Sequence, residues 1–153
     1  MPDESLSAAL ELEHLRIDAG IEAFLDGNAD VDALRVTLNL LRRHIYLEEQ
    51  LLFPPISSGA HMMAIFGMIR GHGEIWRTMS ALDDLARTGA DPETLRGACG
   101  RLRELLAEHN KVEEPVIYPA ADTGLTAEQT AELAGFLTAG RMPDGWTCAR
   151  AAA

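Results

Sequence analysis

The sequence predicts an all-α protein, an up-down-up-down four-helix bundle with a short C-terminal fifth helix. Apolar residues recur at helical spacing through most of the 153 residues. No stretch of the sequence combines strict alternation with the β-branched enrichment expected of strands. Helix start and stop signals divide the chain into four long segments joined by short loops, which is the pattern of an antiparallel bundle.

The first two predicted helices are separated by one tight turn. The first covers residues 5–26 and stops at Gly27-Asn28, because these residue types favour the left-handed conformation that ends helices. The second begins near Asp30, whose carboxylate can cap the first turn. It is expected to end before Pro54-Pro55, because proline lacks the backbone N–H that a helix needs.

The second half of the chain repeats this arrangement. The third helix covers roughly residues 60–86, and the fourth begins at Asp91-Pro92 and runs to about Glu114, with a kink at Pro115. A capping-box pattern at residues 126–129 opens the fifth helix, which ends near residue 140. Residues 1–140 are therefore predicted to form one domain. Residues 141–153, which include Trp146 and Cys148, form a tail that is expected to be loosely held.

Composition excludes several classes of partner. The net charge of −11 disfavours nucleic acid, whose phosphates need a basic surface, and equally a basic helix lying on a membrane. No apolar run reaches the length of a membrane span, and the acidic N-terminus lacks the features of a signal peptide. The two cysteines are far apart and form no Cys-x-x-Cys motif. The sequence therefore predicts a cytoplasmic protein.

One motif occurs twice, at residues 44–54 and 109–119. Both copies read His-x-x-x-Glu-Glu-x, then two aliphatic residues, an aromatic residue and proline. Residues four apart lie on one face of an α-helix. His44 can therefore point at the same place as Glu48, and His109 at the same place as Glu113. Imidazole and carboxylate are metal ligands, so the repeat predicts a dinuclear site.

Each of the four long helices carries one histidine within its apolar stripe. These residues are His14, His44, His72 and His109. A lone histidine on a core face is usually a structural residue. Four imidazoles and two carboxylates converging in one core would be costly to bury without a shared partner, and a pair of metal ions removes that cost. A metal-free polar core is the alternative. Histidine and carboxylate suit iron, and also zinc or manganese.

Four further residues are candidates for the surroundings of the site. Glu49 and Glu114 follow the motif carboxylates and lie about 100° further round the helix, so they are either solvated or orient a histidine N–H. Tyr46 and Tyr118 could serve as hydrogen-bond donors or redox-active neighbours, although a core or rim position is the simpler interpretation.

The order His, His-x-x-x-Glu, His, His-x-x-x-Glu over residues 5–120 resembles the hemerythrin-like, or HHE cation-binding, family. The resemblance implies two non-haem iron ions bridged by Glu48 and Glu113 and by an oxo or hydroxo group. It also implies that the four histidines are the terminal ligands.

One position departs from the family pattern. Oxygen-carrying hemerythrins have a further histidine one turn after the third-helix histidine, and this chain has Trp76 there. Trp76 is expected to pack as an apolar wall beside the site. The missing ligand would leave open positions for dioxygen, peroxide or nitric oxide, and it argues against simple oxygen transport.

The leading hypothesis is a diiron protein that binds or senses oxygen or a related small oxidant. An enzyme of the peroxidase or catalase type, or another di-metal oxidase, is the first alternative. An iron store or sensor and a metal-free interaction bundle are the others. The redox partner and the oligomeric state are not predicted, and no residue is assigned a catalytic role.

Overall fold

The structure is a computed structural model that describes residues 5–27 and 30–152. Within those ranges it is helical, without strands, which confirms the all-α prediction. Seven α-helices are present in the described residues: α1 Leu6–Leu25, α2 Val31–Leu47, α3 Phe53–Ile56, α4 Met62–Arg87, α5 Pro92–Val112, α6 Tyr118–Thr123 and α7 Ala127–Ala139. A short 3₁₀ turn, Gly59–His61, precedes α4.

The predicted helix starts are confirmed by their caps. The side chains of Ser5, Asp30 and Asp91 each accept a hydrogen bond from a backbone N–H in the first turn of the helix that follows. Thr126 and Gln129 form the predicted capping box of α7. Such caps satisfy N–H groups that have no partner inside the helix. At the end of α1, Gly27 has a φ of 102°. Asn28, predicted to share this turn, lies outside the described residues.

The two helices that contain the repeated motif continue past their prolines by way of a π-helical turn. The turn Glu48–Leu52 joins α2 to α3, and the turn Glu113–Ile117 joins α5 to α6. The predicted helix end before Pro54 is therefore wrong, and α5 also continues beyond Pro115. Proline has no N–H and its ring displaces the carbonyl four residues earlier, which a wider turn accommodates. The residue directly after each π-turn donates its N–H to the carbonyl of the motif glutamate: Phe53 to Glu48, and Tyr118 to Glu113.

The four long helices pack in a ring in which α1 contacts α2 and α5, and α4 contacts the same two helices. Their buried faces form two apolar clusters. One is built around Ile21, Leu38, Met79 and Leu102, and the other around Leu10, Leu52, Ile65 and Ile117. Along α1 and α4 the chain runs from the second cluster to the first. Along α2, and along α5 with the π-turn that follows it, the chain runs from the first cluster to the second. Each long helix has one buried histidine, and it lies in the layer between the two clusters.

The C-terminal segment is packed, and the prediction of a loosely held tail is wrong. Cys148 is 3% exposed and belongs to the first apolar cluster. The Trp146 ring makes edge contacts with Tyr46 and Trp76, at centroid distances of 5.0 Å and 5.5 Å. The segment passes so close to α4 that a Cβ at Gly73 would collide with a backbone carbonyl of the segment. None of the described helices is long and apolar enough to cross a membrane.

Candidate metal centre

The six predicted ligands lie together in the layer between the two apolar clusters. They form two groups that share both glutamates: His14 and His44 with Glu48 and Glu113, and His72 and His109 with the same two carboxylates. Within each group the potential ligand atoms all lie within 4.8 Å of one another. All six side chains are buried. We refer to the two groups as the His14/His44 side and the His72/His109 side.

Each glutamate presents one oxygen to each side. Glu48 places Oε2 3.0 Å from His44 Nε2 and Oε1 3.0 Å from His72 Nε2. Glu113 places Oε1 3.2 Å from His14 Nε2 and Oε2 3.4 Å from His109 Nε2. All four histidines therefore turn the same ring nitrogen toward the carboxylate pair. Two carboxylates placed in this way could each bind an ion on either side.

The donor atoms fit a pair of transition-metal ions. Metal–ligand bonds of about 2.0–2.2 Å at right angles put neighbouring donors roughly 3 Å apart, as observed here. His109 Nε2 and Glu113 Oε2 are buried without a hydrogen-bond partner, which is costly unless something else binds them. The six donors also line a central cavity of about 10 Å³. That volume holds roughly one water-sized atom.

Three of the histidines are held from behind by a carboxylate. The Nδ1 atom of His14 lies 2.7 Å from Glu114, that of His44 lies 2.8 Å from Glu13, and that of His72 lies 2.7 Å from Glu49. Such contacts fix the ring orientation and turn Nε2 toward the centre. Glu49 and Glu114 thus lie where the sequence allowed them to orient a histidine. Glu13 is new, since nothing in its spacing on α1 distinguishes it from its acidic neighbours.

Among the described residues, no carboxylate lies at Nδ1 of His109. The position on α4 that corresponds to Glu13, one residue before the helix histidine, is Gly71. A Cβ at Gly71 would lie 3.0 Å from His109 Nδ1, so the glycine backbone lies directly against the ring. His109 is accordingly the histidine with the fewest groups fixing its orientation.

Tyr118 reaches the centre of the His14/His44 side. Its hydroxyl donates to Glu48 Oε2 at 2.6 Å and to Glu113 Oε1 at 3.2 Å, and lies 2.8 Å from His14 Nε2 and 3.0 Å from His44 Nε2. In a regular α-helix, residues five apart point roughly 140° apart, whereas the π-turn brings Tyr118 onto the same face as Glu113. The sequence analysis predicted a kink at Pro115 and not a π-turn, so it did not place Tyr118 at the centre.

The repeat counterpart of Tyr118 is Phe53. Its ring stacks on His72 with a centroid distance of 5.6 Å and an interplanar angle of 16°. A phenylalanine has no hydroxyl to offer. The His72/His109 side therefore receives an apolar ring where the other side receives a phenol oxygen.

Burial and charge set the protonation of the centre when no ion is bound. Burial alone would lower the pKa of His44, but Glu48 and Glu13 outweigh it and raise that pKa to about 10. Burial also disfavours charged His72, yet its bonds to Glu48 and Glu49 raise the pKa to about 9. Burial would raise the pKa of Glu48, and the two histidines hold it well below its usual value instead. The carboxylates thus retain protons on the rings in place of cations.

Two other predicted residues lie outside the cavity wall. The Trp76 ring, expected beside the site, contacts Trp146 and lies 5.8 Å from the Arg42 guanidinium carbon. Its chain neighbour Ile75 lines the cavity. Tyr46 packs against Phe136 and Trp146, which places it at the rim of the bundle.

Comparison with known proteins agrees with the geometry. Residues 5–121 match the family model described as hemerythrin HHE cation binding domain. The chain is 32% identical over 104 residues to the iron-sulfur cluster repair protein YtfE of Yersinia pestis (strain Pestoides F) and of Yersinia pseudotuberculosis serotype O:1b (strain IP 31758). The match covers 60% of this chain and 46% of each relative, so the chain spans about half the length of the curated relatives it matches. No solved structure matches significantly. The chain belongs to the hemerythrin HHE cation-binding domain family.

Proposed function

We propose that this is a non-haem diiron protein that binds a small oxidant such as dioxygen, peroxide or nitric oxide. His14 and His44 would hold one iron and His72 and His109 the other. Glu48 and Glu113, with an oxo or hydroxo group in the central cavity, would bridge the two. Zinc or manganese could replace iron in the same donor set.

The observation that carries the proposal is the sharing of both carboxylates between the two histidine pairs. Each glutamate aims its two oxygens at different pairs, with nitrogen–oxygen distances of 3.0–3.4 Å. Hydrogen bonding alone does not require this, because it leaves His109 Nε2 and Glu113 Oε2 without partners. A cation on each side would satisfy both atoms and balance the buried carboxylates.

The scaffold we infer is an up-down-up-down four-helix bundle. The alternating passage of the long helices between the two apolar clusters supports it, as do the short connections between helices. We place the domain in residues 1–140, followed by a C-terminal segment at 141–153 of which residues 141–152 are described and packed. Cytoplasmic location and the absence of nucleic-acid and membrane partners stay predictions from sequence.

The chain's own part in this chemistry is positional. Glu13, Glu49 and Glu114 hold three histidine rings with Nε2 turned inward. The apolar clusters on either side restrict water at the centre. An iron pair held there would supply the electrons for binding or reducing a small oxidant.

Anaerobic loading with ferrous iron, followed by elemental analysis and thermal melting, tests the proposal. We expect about two irons per chain and a higher melting temperature, because an ion that binds only the native state stabilises it. His72→Ala should lower the iron content to at most one ion per chain and reduce the rise in melting temperature. His61→Ala is the matched control, because His61 lies in the 3₁₀ turn before α4, away from the centre. A wild-type protein that binds no metal would instead indicate a metal-free interaction bundle.

A second candidate function follows from the relatives, whose name is iron-sulfur cluster repair protein YtfE. An iron-handling role of that kind is compatible with the same centre. The test is whether iron-loaded protein restores activity to an enzyme whose iron–sulfur cluster nitric oxide has damaged, while His72→Ala does not. Turnover of hydrogen peroxide by the loaded protein, measured separately, would indicate the peroxidase or catalase type of activity.

A further inference from the structure

The two halves of the sequence repeat differ at two positions that contact the candidate ligands. Tyr118 is matched by Phe53, and Glu13 is matched by Gly71. In each case the smaller or less polar residue lies on the His72/His109 side. That side therefore lacks both the phenol oxygen at its centre and the carboxylate behind one ring.

A surface pocket of about 210 Å³ opens at the second of these positions, between α4 and α5. Gly67 and Gly71 form part of its wall, with Ile75, Leu105 and His109. His109 and Ile75 also line the central cavity, so these two side chains border both the pocket and the centre. A Cβ at Gly67 would meet no atom within 4 Å, which shows that this part of the pocket is empty of protein.

At the equivalent place on the opposite side, a glutamate stands where the His72/His109 side has Gly71. Glu13 occupies it, and Arg43 Nη1 lies 3.5 Å from the Glu13 carboxylate. The Arg43 guanidinium also donates to Gly140 O at 2.9 Å and to Leu137 O at 3.1 Å. The C-terminal end of α7 thus covers the back of His44.

We propose that the pocket between α4 and α5 is the entry port for the small ligand, which binds on the His72/His109 side against Phe53. This assignment rests on the proposed function. The apolar wall of Ile75 and Leu105 suits an uncharged molecule. The two carboxylates at the pocket, Glu74 and Glu108, are each paired with a cation, Arg101 at 3.0 Å and Lys111 at 3.1 Å. The port therefore attracts neither cations nor anions strongly, which fits a neutral diatomic or peroxide molecule.

The test is the rate at which nitric oxide binds diferrous protein, followed by stopped-flow absorption. Gly67→Leu fills the pocket without touching a proposed ligand, and we expect association at least about tenfold slower than in wild type. Gly97→Leu is the matched control, because Gly97 is an exposed glycine inside α5 whose Cβ also meets nothing within 4 Å. That variant should bind nitric oxide at the wild-type rate. Equal rates for Gly67→Leu and Gly97→Leu would overturn the port.

Iron content measured on the same samples separates this idea from the proposed function. If the wild-type protein binds no iron, the proposed function is wrong. If Gly67→Leu binds two irons and nitric oxide associates at the wild-type rate, only the proposed port is wrong. If Gly67→Leu does not fold, the smaller Gly67→Val replaces it, since a Cβ at this position meets no atom within 4 Å.

Phe53→Tyr gives a second readout, because it places a hydroxyl on the proposed ligand-binding side. We expect its nitric oxide affinity to fall at least about tenfold at unchanged iron content. Phe66→Tyr, which adds the same hydroxyl to an exposed ring on α4, is the matched control and should not lower the affinity. A Phe53→Tyr affinity equal to that of wild type would contradict binding against Phe53.

Discussion

The two sides of the candidate metal centre have equivalent histidines and share both carboxylates, but two of the three groups that surround each histidine pair differ. On the His14/His44 side both histidines have a carboxylate at Nδ1, and a buried phenol reaches the ligand atoms. On the His72/His109 side one histidine has a carboxylate, the other faces Gly71, and the neighbouring ring is Phe53. The sequence repeat accounts for what the sides have in common. Their surroundings make the two sides chemically unequal.

The largest effect is expected from the two shared carboxylates. Without metal, Glu48 bonds His72 and Tyr118 and lies 3.0 Å from His44, whereas Glu113 has one oxygen without a partner. Glu48→Ala should therefore lower the free energy of unfolding of metal-free protein by about 3–5 kcal/mol. Glu113→Ala should lower it less. Urea unfolding in the presence of a chelator measures both, and equal losses would contradict the difference between the carboxylates.

The histidine pKa values predict how metal-free protein responds to pH. His44 and His72 have folded pKa values of about 10 and about 9, above the unfolded value near 6.5. Their contribution to stability is therefore complete below about pH 6.5 and is lost as the pH rises through 9 to 10. We expect metal-free protein to melt at a lower temperature at pH 10 than at pH 7.

Metal-loaded protein should respond in the opposite direction. The ring nitrogens then hold ions, and protons compete for them as the pH falls through the histidine range. We expect iron loss on acidification, measured by elemental analysis after gel filtration. Full iron content at pH 4 would contradict ligation by these histidines.

The carboxylates behind the histidines should differ in importance. Glu13 is 4% exposed, whereas the Glu114 side chain is 37% exposed, so water can replace only the latter readily. Glu13→Ala should weaken iron binding by about 10–100-fold, the usual effect of removing such a group. Glu114→Ala should weaken it less. Competition with a chromophoric chelator gives both affinities, and the reverse order would show that burial does not determine the effect.

The smallest effect is expected from the phenol in the absence of metal. Tyr118→Phe removes hydrogen bonds but leaves the ring packed, so the loss in unfolding free energy should be about 0.5–1.5 kcal/mol. Phe53→Leu, at the equivalent position of the repeat, is the comparison: it removes the aromatic ring that stacks on His72 and so measures the loss of ring packing without loss of a hydroxyl. A Tyr118→Phe loss well above that range would mean that the hydroxyl organises the whole centre.

The sequence could predict that the six candidate ligands lie together, because two histidines share a helix face with a glutamate and the other two lie in the apolar stripes of their helices. A histidine and a glutamate four residues apart share a helix face in any α-helix. Tyr118 was assigned only to the surroundings, because its position at the centre depends on a π-turn. The proline in this turn was interpreted as the end of the helix. Glu13 was missed because its partner, His44, lies on a different helix. The C-terminal segment was expected to be loose because its few apolar residues show no periodicity, and its packing depends on Tyr46 and Trp76 elsewhere in the chain.

The C-terminal segment also touches the metal centre indirectly. The N–H of Ala149 donates to Glu49 Oε1 at 2.9 Å, while the other oxygen of Glu49 binds His72 Nδ1. One carboxylate thus joins the segment to a histidine on the side where we place the ligand. An ion that fixes His72 should also hold this carboxylate in place, so we expect proteases to cleave residues 146–152 more slowly after iron loading, a readout that needs no spectroscopic signal.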